Sequence, residues 1–526
     1  MIIHYSFPQL IMEPIYPLIT LLLILVITLL YFTYHQITTT KKQLHLGFKT
    51  YPFLGTLPQF LANRHRFLDW STEVLASIPT HTSIFFRPGK VHGVITAYPP
   101  NVEHILKTRF DNYPKGARFA SLLHDFLGTG IFNADDHLWR VQRKTASFEF
   151  NKRSLKNFVL DSVRSEIITR LIPILKEASG SNRVLDLQDV LERFAFDNVC
   201  KLAFDYDPGC LAGNGSGESE FMRAFEEAAT LSAERFMYAL PFLWRIKKLF
   251  NIGSEKRLRD SIETVNGFAD RIIRTRLDEI SREQRINNLN YQDLLSRFIS
   301  STEEISEVQR DCNFLRDVVI SFILAGRDTT SSGLSWFFWL LSNNSDVLTK
   351  IRSEVGNVRA RADKQVGDSY NFDDLREMNY LHAALSETLR LYPPVPVDTR
   401  SCSEDDIFPD GTKVKKNWFV TYNTYAMGRM ESIWGRDCLV FRPERWIDEN
   451  GLYKPENPFR YPVFHAGPRI CLGKEMAYVQ MKSIVACVVE QFDVDVLGKE
   501  KCPEYLLSLT LRTKNGLPVR VKPRKL

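Results

Sequence analysis

Phe464-His465-Ala466-Gly467-Pro468-Arg469-Ile470-Cys471-Leu472-Gly473 puts one cysteine just after a Gly-Pro turn and just before a helix-compatible run, 474–490. A thiolate at Cys471 would sit where the first backbone N–H groups of that helix point outward, at the positive end of its dipole. This setting is expected to lower the thiol pKa and to make Cys471 a soft metal ligand. Gly467 and Gly473 carry no Cβ, which leaves room for a flat cofactor against the backbone. Arg469, two residues before the cysteine, is placed to meet an anionic group. A lone cysteine is more often a small buried hydrophobe, so the weight rests on the whole pattern. His465 is a nominal rival ligand, but it precedes the Gly-Pro turn and lacks the helix-terminus setting.

The chain around this loop has 526 residues and an ordinary apolar fraction, which permits a large core. Its net charge of +6 comes without a long basic run, which argues against a nucleic-acid partner. The eight cysteines form no CxxC pair, which argues against structural zinc. Their wide spacing fits a reducing compartment. Asn214-Gly215-Ser216 and Asn343-Asn344-Ser345 match the glycosylation triplet and are silent if they face the cytosol.

Residues 18–34 are an uncharged apolar or hydroxylated run near the short limit of a membrane-spanning helix. Glu13 is the only charged side chain before it, while Lys41, Lys42 and Lys49 follow, so the bulk of the chain is expected in the cytosol. A basic leader and a small-x-small cleavage site are both missing, which favours an uncleaved signal anchor over a signal peptide. The expected division is a short lumenal segment over 1–17, the anchor over 18–34, a linker over 35–58 and one domain over 59–526. The linker contains Tyr51-Pro-Phe-Leu-Gly-Thr-Leu-Pro58, whose prolines stiffen it.

Thr82–Arg87 and Val91–Thr96 read as strands bounded by Pro88-Gly89 and Pro99-Pro100. Phe110-Asp-Asn-Tyr-Pro-Lys-Gly116 is turn-rich and opens what reads as a loop bearing Phe119, Leu122, Leu123, Phe126, Leu127, Ile131 and Phe132. Trp139-Arg140-Val141-Gln142-Arg143-Lys144 starts a helix on which Trp139 and Arg143 share a face. Taken alone, this is equally well an exposed basic turn. Residues 155–288 read as amphipathic helices broken at 179–181 and 209–219, with no legible chemistry.

Residues 315–341 predict a helix of roughly 40 Å at about 1.5 Å per residue. It is apolar nearly all round and should cross the core. Arg327 and Asp328 interrupt it and exclude a second membrane span. Its middle, Ala325-Gly-Arg-Asp-Thr-Thr-Ser-Ser-Gly333, is rich in poor helix formers whose hydroxyls can bend the backbone. That is either an ordinary hydrophilic kink or room for oxygen, water and a proton route. The acid followed by a hydroxyl at Asp328-Thr329 suits proton delivery. Glu387 and Arg390 are i,i+3 on a helix. As a surface pair they would contribute little, but Leu381, Leu385, Leu389 and Leu391 argue for burial. Tyr392-Pro-Pro-Val-Pro-Val397 must run extended. The runs 506–511 and 517–521, split by Lys514-Asn-Gly, read as a hairpin.

The cysteine loop resembles the haem-binding loop of the cytochrome P-450 superfamily. WRxxR at Trp139, AGxDTT at Ala325, ExxR at Glu387 and FxxGxRxCxG at Phe464 follow in that family's order, so the resemblance covers about residues 45–524. It implies a mainly α fold with small β-sheets, a catalytic domain over 59–526 behind a single-pass anchor, and the endoplasmic reticulum membrane as location. It implies haem b, with Cys471 as proximal iron ligand donating electron density. Trp139, Arg143, Arg400, Phe464, Gly467, Arg469 and Gly473 are the implied further haem contacts, with Trp139, Arg143 and Arg400 on the propionates. Asp328 and Thr329 are the implied catalytic relay to bound O2. Glu387, Arg390 and Arg445 (from Phe441-Arg-Pro-Glu-Arg445) are the implied structural set behind the cysteine loop. No flavin or dinucleotide motif is visible, so electrons are expected from NADPH through a separate cytochrome reductase. Arg140, Arg143, Lys144 and Lys474 flank the proximal side, where they either dock an acidic partner, pair with propionates or face solvent.

Phe110–Gly116, Gly130-Ile-Phe-Asn133, Trp139–Ser147, Pro393–Asp398 and Tyr461–Gly467 closely resemble plant enzymes that hydroxylate fatty acids at the ω carbon. The same group includes ω-hydroxylases of the jasmonoyl-isoleucine conjugate. Both substrates are apolar chains ending in a carboxylate, and both demand an apolar channel that offers only the chain end. Phe119, Leu122, Phe126, Phe322, Ile323, Val395, Val397, Leu507 and Leu509 are the expected lining, each otherwise ordinary core. Lys115 and Arg118 are the expected carboxylate partners. A haem-thiolate hydroperoxide isomerase or dehydratase, and a non-enzymatic haem-binding protein, are the rival readings.

Overall fold

Thr82–Arg87 (β1) and Val91–Thr96 (β2), the two runs read as strands, pair antiparallel from Thr82↔Thr96 to Arg87↔Val91. Asp398–Ser401 (β3) and Phe419–Tyr422 (β4) complete this sheet in the order β1-β2-β4-β3, with β2 and β4 parallel. The computed structural model describes residues 24, 28, 31, 47–89, 91–150, 162–213, 216–285, 293–303 and 312–524. The expected anchor, apart from Ile24, Thr28 and Tyr31, lies outside them. Among the described residues no helix is long and apolar enough to cross a membrane.

The apolar stretch after Gly116 is a helix, Gly116–Leu127 (α1), and not the expected loop. Phe119, Leu122, Leu123, Phe126 and Leu127 repeat at three and four residues, and that period buries one face. Its start is tied down by Asp135, whose carboxylate accepts from the backbone N–H groups of Lys115 at 2.9 Å and Gly116 at 2.8 Å. Asp136–Ser147 (α2) follows and carries Trp139 and Arg143. Further helices include Leu187–Phe204 (α3), Ser216–Glu234 (α4) and Phe242–Phe250 (α5).

The long central helix runs as Cys312–Ile323 (α6), a π-turn at Leu324–Asp328 and Thr329–Ser342 (α7). It links two cores. Phe314, Val318 and Val319 of α6 pack with Phe225 and Phe268, while Leu334, Phe337 and Leu341 of α7 pack with Leu381, Leu385 and Val485. The break coincides with Gly326, where a Cβ would fall 2.4 Å from Val199 Cγ2 on α3. Seating a neighbouring branched side chain directly on the backbone at a wide turn is a use only glycine permits.

Asn379–Leu391 (α8) carries Glu387 and Arg390, and Lys474–Gln491 (α9) leaves the cysteine loop. Phe492–Val496 (β5) follows. The C-terminal hairpin is Tyr505–Leu507 (β6) against Leu511–Thr513 (β7). The 517–521 run does not belong to it. That run lies in Pro518–Pro523 (β8), which pairs with β5 and with Leu185–Asp186. Asp186 explains the switch: its carboxylate accepts from Leu517 N–H at 2.9 Å and lies where any Cβ on Gly516 (φ +71°) would collide. The turn at Lys514-Asn-Gly therefore delivers the chain to a different sheet.

Candidate active site

The cysteine loop closes on itself through Cys471 N–H to Phe464 O at 2.8 Å and Ile470 N–H to Gly467 O at 3.0 Å. Gly467 has φ +66°, and a Cβ there would lie 2.0 Å from the Leu106 carbonyl oxygen. Its glycine is thus required by the backbone it rests on. Gly473 is different: a Cβ would stand 3.9 Å from Cys471 Sγ, beside the open thiol. Phe464 packs against Tyr478 of α9, with ring centroids 5.3 Å apart.

Cys471 is exposed, yet burial pushes its thiol pKa up; the N–H of Gly473, Arg143 and Lys474 act in the opposite direction and do not prevail. The expected lowering is therefore reversed in the free thiol: the helix terminus is present, but desolvation outweighs it. A metal ligated there would displace that proton.

Behind the loop, Glu387 is fully buried and Arg390 nearly so. Arg390 donates to both Glu387 oxygens, Nε at 2.8 Å and Nη2 at 2.7 Å, and its other N–H groups reach the carbonyls of Gly428, Cys438 and Val440. Glu387 also accepts from Trp446 Nε1 at 2.9 Å, Arg442 N–H at 3.0 Å and Arg445 Nε at 3.4 Å. Arg445 in turn holds the Trp434 and Asp437 carbonyls. The structure brings all three expected residues into one satisfied network.

A second buried cluster surrounds Asp398 on β3. Lys115 Nζ pairs with its Oδ1, Tyr422 donates to Oδ2 at 3.1 Å, and Arg400 Nη2 lies 3.1 Å from Oδ2. Burial alone would raise the Asp398 carboxyl, but Lys115, Arg400 and His465 hold it well below the usual carboxylate range. Burial, then Arg400, push Lys115 down to about 7 despite that partner. Lys115, an expected carboxylate partner for substrate, is thus already engaged inside the protein. Burial lowers His465 to about 4, leaving it neutral, and its Nδ1 sits 2.7 Å from Tyr422 Oη. Because Tyr422 donates to Asp398, that Nδ1 is the N–H side of the ring.

Arg469 donates to Asp135 at 2.7 Å and to the Ala134 carbonyl at 2.9 Å, and its guanidinium lies 4.4 Å from the Trp139 ring centroid. Arg143 stands within electrostatic reach of Cys471, with burial lowering its pKa and Cys471 opposing. Arg400 is 1% exposed; among the described residues its Nη2 has the Asp398 charge beside it, but none of Nε, Nη1 and Nη2 makes a well-aligned hydrogen bond. A guanidinium so buried and so poorly satisfied calls for acceptors. An exposed thiol flanked by the Arg143 and Lys474 charges, together with a buried Arg400 short of acceptors, fits an iron porphyrin bearing two propionates. Cys471 would hold the iron, and Arg400, with Arg469, Arg143 and Trp139, would hold the carboxylate edge.

An apolar cavity of about 350 Å³ reaches Leu324, Ala325 and Thr329 at the π-turn. Phe119, Leu122, Val395, Val397, Leu507 and Leu509 line it as expected. Phe126, Phe322 and Ile323 do not. Phe126 turns its ring to Phe225 at 5.1 Å, Phe322 turns to Phe298 at 6.2 Å, and Ile323 is fully buried in the same core. One turn decides this: α6 points residues 322 and 323 into the core before the π-turn swings Leu324 and Ala325 toward the cavity. Thr329 borders the cavity and donates Oγ1–H to Ala325 O at 2.7 Å. Asp328 does not border it. Its carboxylate accepts from Arg327 at 2.8 Å, Arg327 reaches Glu192 at 3.2 Å, Glu192 accepts from Arg512 at 2.9 Å, and Arg512 pairs with half-exposed Glu226. Burial raises the Asp328 carboxyl, with Arg327 and Arg512 opposing. Arg87, Arg118 and Arg245 also line the cavity; no pattern in the sequence marks Arg87 or Arg245. At the surface, Arg140 lies 3.8 Å from Asp111 and Lys144 is exposed.

A mainly helical domain with a cysteine loop beneath a cavity and a π-turn facing it defines the haem-thiolate class. The family model described as Cytochrome P450 matches residues 46–519. Cytochrome P450 CYP94D108 of Paris polyphylla is 52% identical over 471 residues, 89% of this chain and 91% of that one. Cytochrome P450 94A2 of Vicia sativa is 44% identical over 483 residues, 90% and 91% of the two chains. Cytochrome P450 94B1 of Arabidopsis thaliana is 44% identical over 482 residues, 90% and 91%. The chain belongs to the cytochrome P450 family. Membership implies a monooxygenase with thiolate-ligated haem b, O2 as co-substrate and electrons from a redox partner.

Proposed function

We propose that this protein hydroxylates the terminal carbon of a fatty acid or similar carboxylated apolar chain, with electrons from NADPH delivered by a separate reductase. The observation that carries this reading is the cavity: its walls are Phe119, Leu122, Val395, Val397, Leu507 and Leu509, and its floor meets Thr329. Such walls bind methylenes by burial alone and exclude water from the reacting end. When bound, haem supplies the activation of O2 and the oxidation of a C–H bond. Cys471 would hold its iron, and Arg400, Arg469, Arg143 and Trp139 would orient it. The Glu387–Arg390–Arg445 network keeps the loop in register beneath it. Thr329 Oγ1 carries a proton at the cavity wall, and behind it burial raises the pKa of the Asp328 carboxyl against the opposing charges of Arg327 and Arg512. Residues 18–34 anchor the domain in the endoplasmic reticulum membrane, and Arg140, Lys144 and Lys474 face the reductase.

A second substrate, the jasmonoyl-isoleucine conjugate, is favoured by the hydroxyls of Thr399, Thr421, Ser508 and Thr510 along the cavity, which suit an amide. Microsomes containing the protein and a reductase, given NADPH and a panel of fatty acids and the conjugate, test both. The expected product is a single terminal alcohol of a fatty acid. Turnover of the conjugate alone selects the second substrate, and conversion of a fatty hydroperoxide without NADPH overturns the monooxygenase mechanism for this chain.

A further inference from the structure

The cations that border the cavity divide into two kinds. Lys115 is paired with Asp398, and Arg235 is paired with Glu255 at 2.5 Å and with Asp125 at 2.7 Å. Arg87 at the end of β1 and Arg245 on α5 form the second kind, and Arg118 on α1 borders the cavity within reach of both charges. Among the described residues neither Arg87 nor Arg245 has a carboxylate partner, and Arg87 feels Arg118 as its neighbouring charge. Three like charges from three separate elements thus border one cavity, Arg118 coupled to each of the other two.

The setting holds them there. The Arg87 guanidinium stacks 4.0 Å from the Phe60 ring centroid and donates to Tyr238 O at 3.3 Å. Arg118 lies 4.5 Å from the Phe419 ring, and Arg245 lies 5.4 Å from the Trp244 ring. A guanidinium beside an aromatic ring gains a cation–π contact, and its planar fork is the geometry that grips a carboxylate. Burial, then Arg118, hold Arg87 down at about 10; burial, then Arg245, lower Arg118. Like charges held together in a partly desolvated wall disfavour one another, and an anion relieves that. Arg87 and Arg118 are half-buried and Arg245 is exposed, so the group spans from the cavity to its outer rim.

We propose that Arg87, Arg118 and Arg245 form the anion site of this cavity and clamp the terminal carboxylate of an apolar chain, leaving the opposite end toward Thr329. This rests on the proposed ω-hydroxylation and assigns its positioning residues.

The test is equilibrium binding to the full-length holoenzyme, read by calorimetry. The ligands are a long-chain fatty acid, its methyl ester and an N-acyl-isoleucine; the proteins are the wild type, Arg87→Gln, Arg118→Gln and the double variant. The wild type is expected to bind the acid about tenfold or more tighter than the ester, since a hydrogen bond to a charged group is worth that much. The double variant is expected to erase that preference while binding the ester as before. A loss confined to the fatty acid or to the conjugate supports the site and names the carboxylate it takes. An unchanged acid-to-ester ratio in a double variant that still shows the carbonyl-bound thiolate spectrum overturns the proposal. Should that variant fail to hold haem, equal binding of acid and ester by the wild type overturns it alone. The ω-hydroxylation reading fails separately, by wild-type products hydroxylated away from the chain end, whatever the binding ratio.

Discussion

At the scale of single residues, Glu387 shows what keeps a buried charge in place. Each of its oxygens is met by Arg390, and Trp446, Arg442 and Arg445 add donors from the segment that leads toward the cysteine loop. Taking such a carboxylate out of water is unfavourable by several kcal/mol, and only a full set of partners offsets it. Glu387→Gln keeps the shape but leaves Arg390 and Arg445 facing a neutral amide that must also donate. We expect a loss of about 3–5 kcal/mol, read as a fall in the urea midpoint together with loss of the carbonyl-bound thiolate band. A midpoint within error of the wild type would show that the network is dispensable. The spacing of Glu387 and Arg390 amid leucines makes their burial legible in the sequence. Arg445 is reachable only through family resemblance, because nothing local says which distant arginine closes the set. The arginines of the cavity wall lie beyond both routes: Arg87 ends an ordinary strand and Arg245 sits on an ordinary surface helix, and only the tertiary fold brings them together. Cys471 shows the reverse limit. Its helix terminus is legible, but its net pKa direction depends on desolvation by residues far away in the chain.

At the scale of elements, the π-turn of the central helix is where packing and chemistry meet. Gly326 lets α3 approach so closely that an added Cβ would sit 2.4 Å from Val199 Cγ2 and 2.7 Å from Val199 Cβ. Gly326→Ala must therefore push α3 and the π-turn apart. We expect about 1–3 kcal/mol of destabilisation from overpacking. Val199→Ala by itself removes buried methyl groups and also destabilises. Combined, the two substitutions relieve each other, so the double variant should be more stable than the sum of the singles, by roughly 0.5–3 kcal/mol. Additive effects in that cycle would mean the two helices are not in contact as described. Hydroxyl-rich residues in an apolar helix make the break visible in the sequence, whereas its π geometry follows from contact with α3. The same division explains α1 and the C-terminal strands. Phe119 to Leu127 carry a plain helical period, yet the turn residues before Gly116 made a loop the simpler expectation. The 517–521 run alternates as a strand should, but its partner is chosen by Asp186, far away in the chain.

At the scale of the whole molecule, the acid side of the stability curve should report one histidine. His382 lies on α8, five residues before Glu387, and its ring stacks on Tyr478 of α9 at 3.9 Å and packs tilted against Tyr453 at 4.0 Å. It joins the helix that carries the Glu387–Arg390 pair to the helix that leaves Cys471. Burial, then the Lys482 and Lys474 charges, hold its pKa down to about 2 from an ordinary 6.5. The folded state therefore keeps a neutral ring across the range in which the unfolded chain takes up a proton. Fewer protons on the folded form mean that stability is fully present above pH 6.5 and is lost as pH falls toward 2, at about 1.4 kcal/mol per pH unit from this group. His382→Phe keeps the stacked ring and removes the titration. Urea midpoints measured from pH 8 to pH 4 should fall less steeply below pH 6.5 in that variant than in the wild type, by that same increment. Parallel curves would mean that the ring takes up its proton in place and that the α8–α9 joint is open to water. Since this joint underlies both the buried ion pair and the cysteine loop, haem release in acid should follow the urea-detected transition and not precede it.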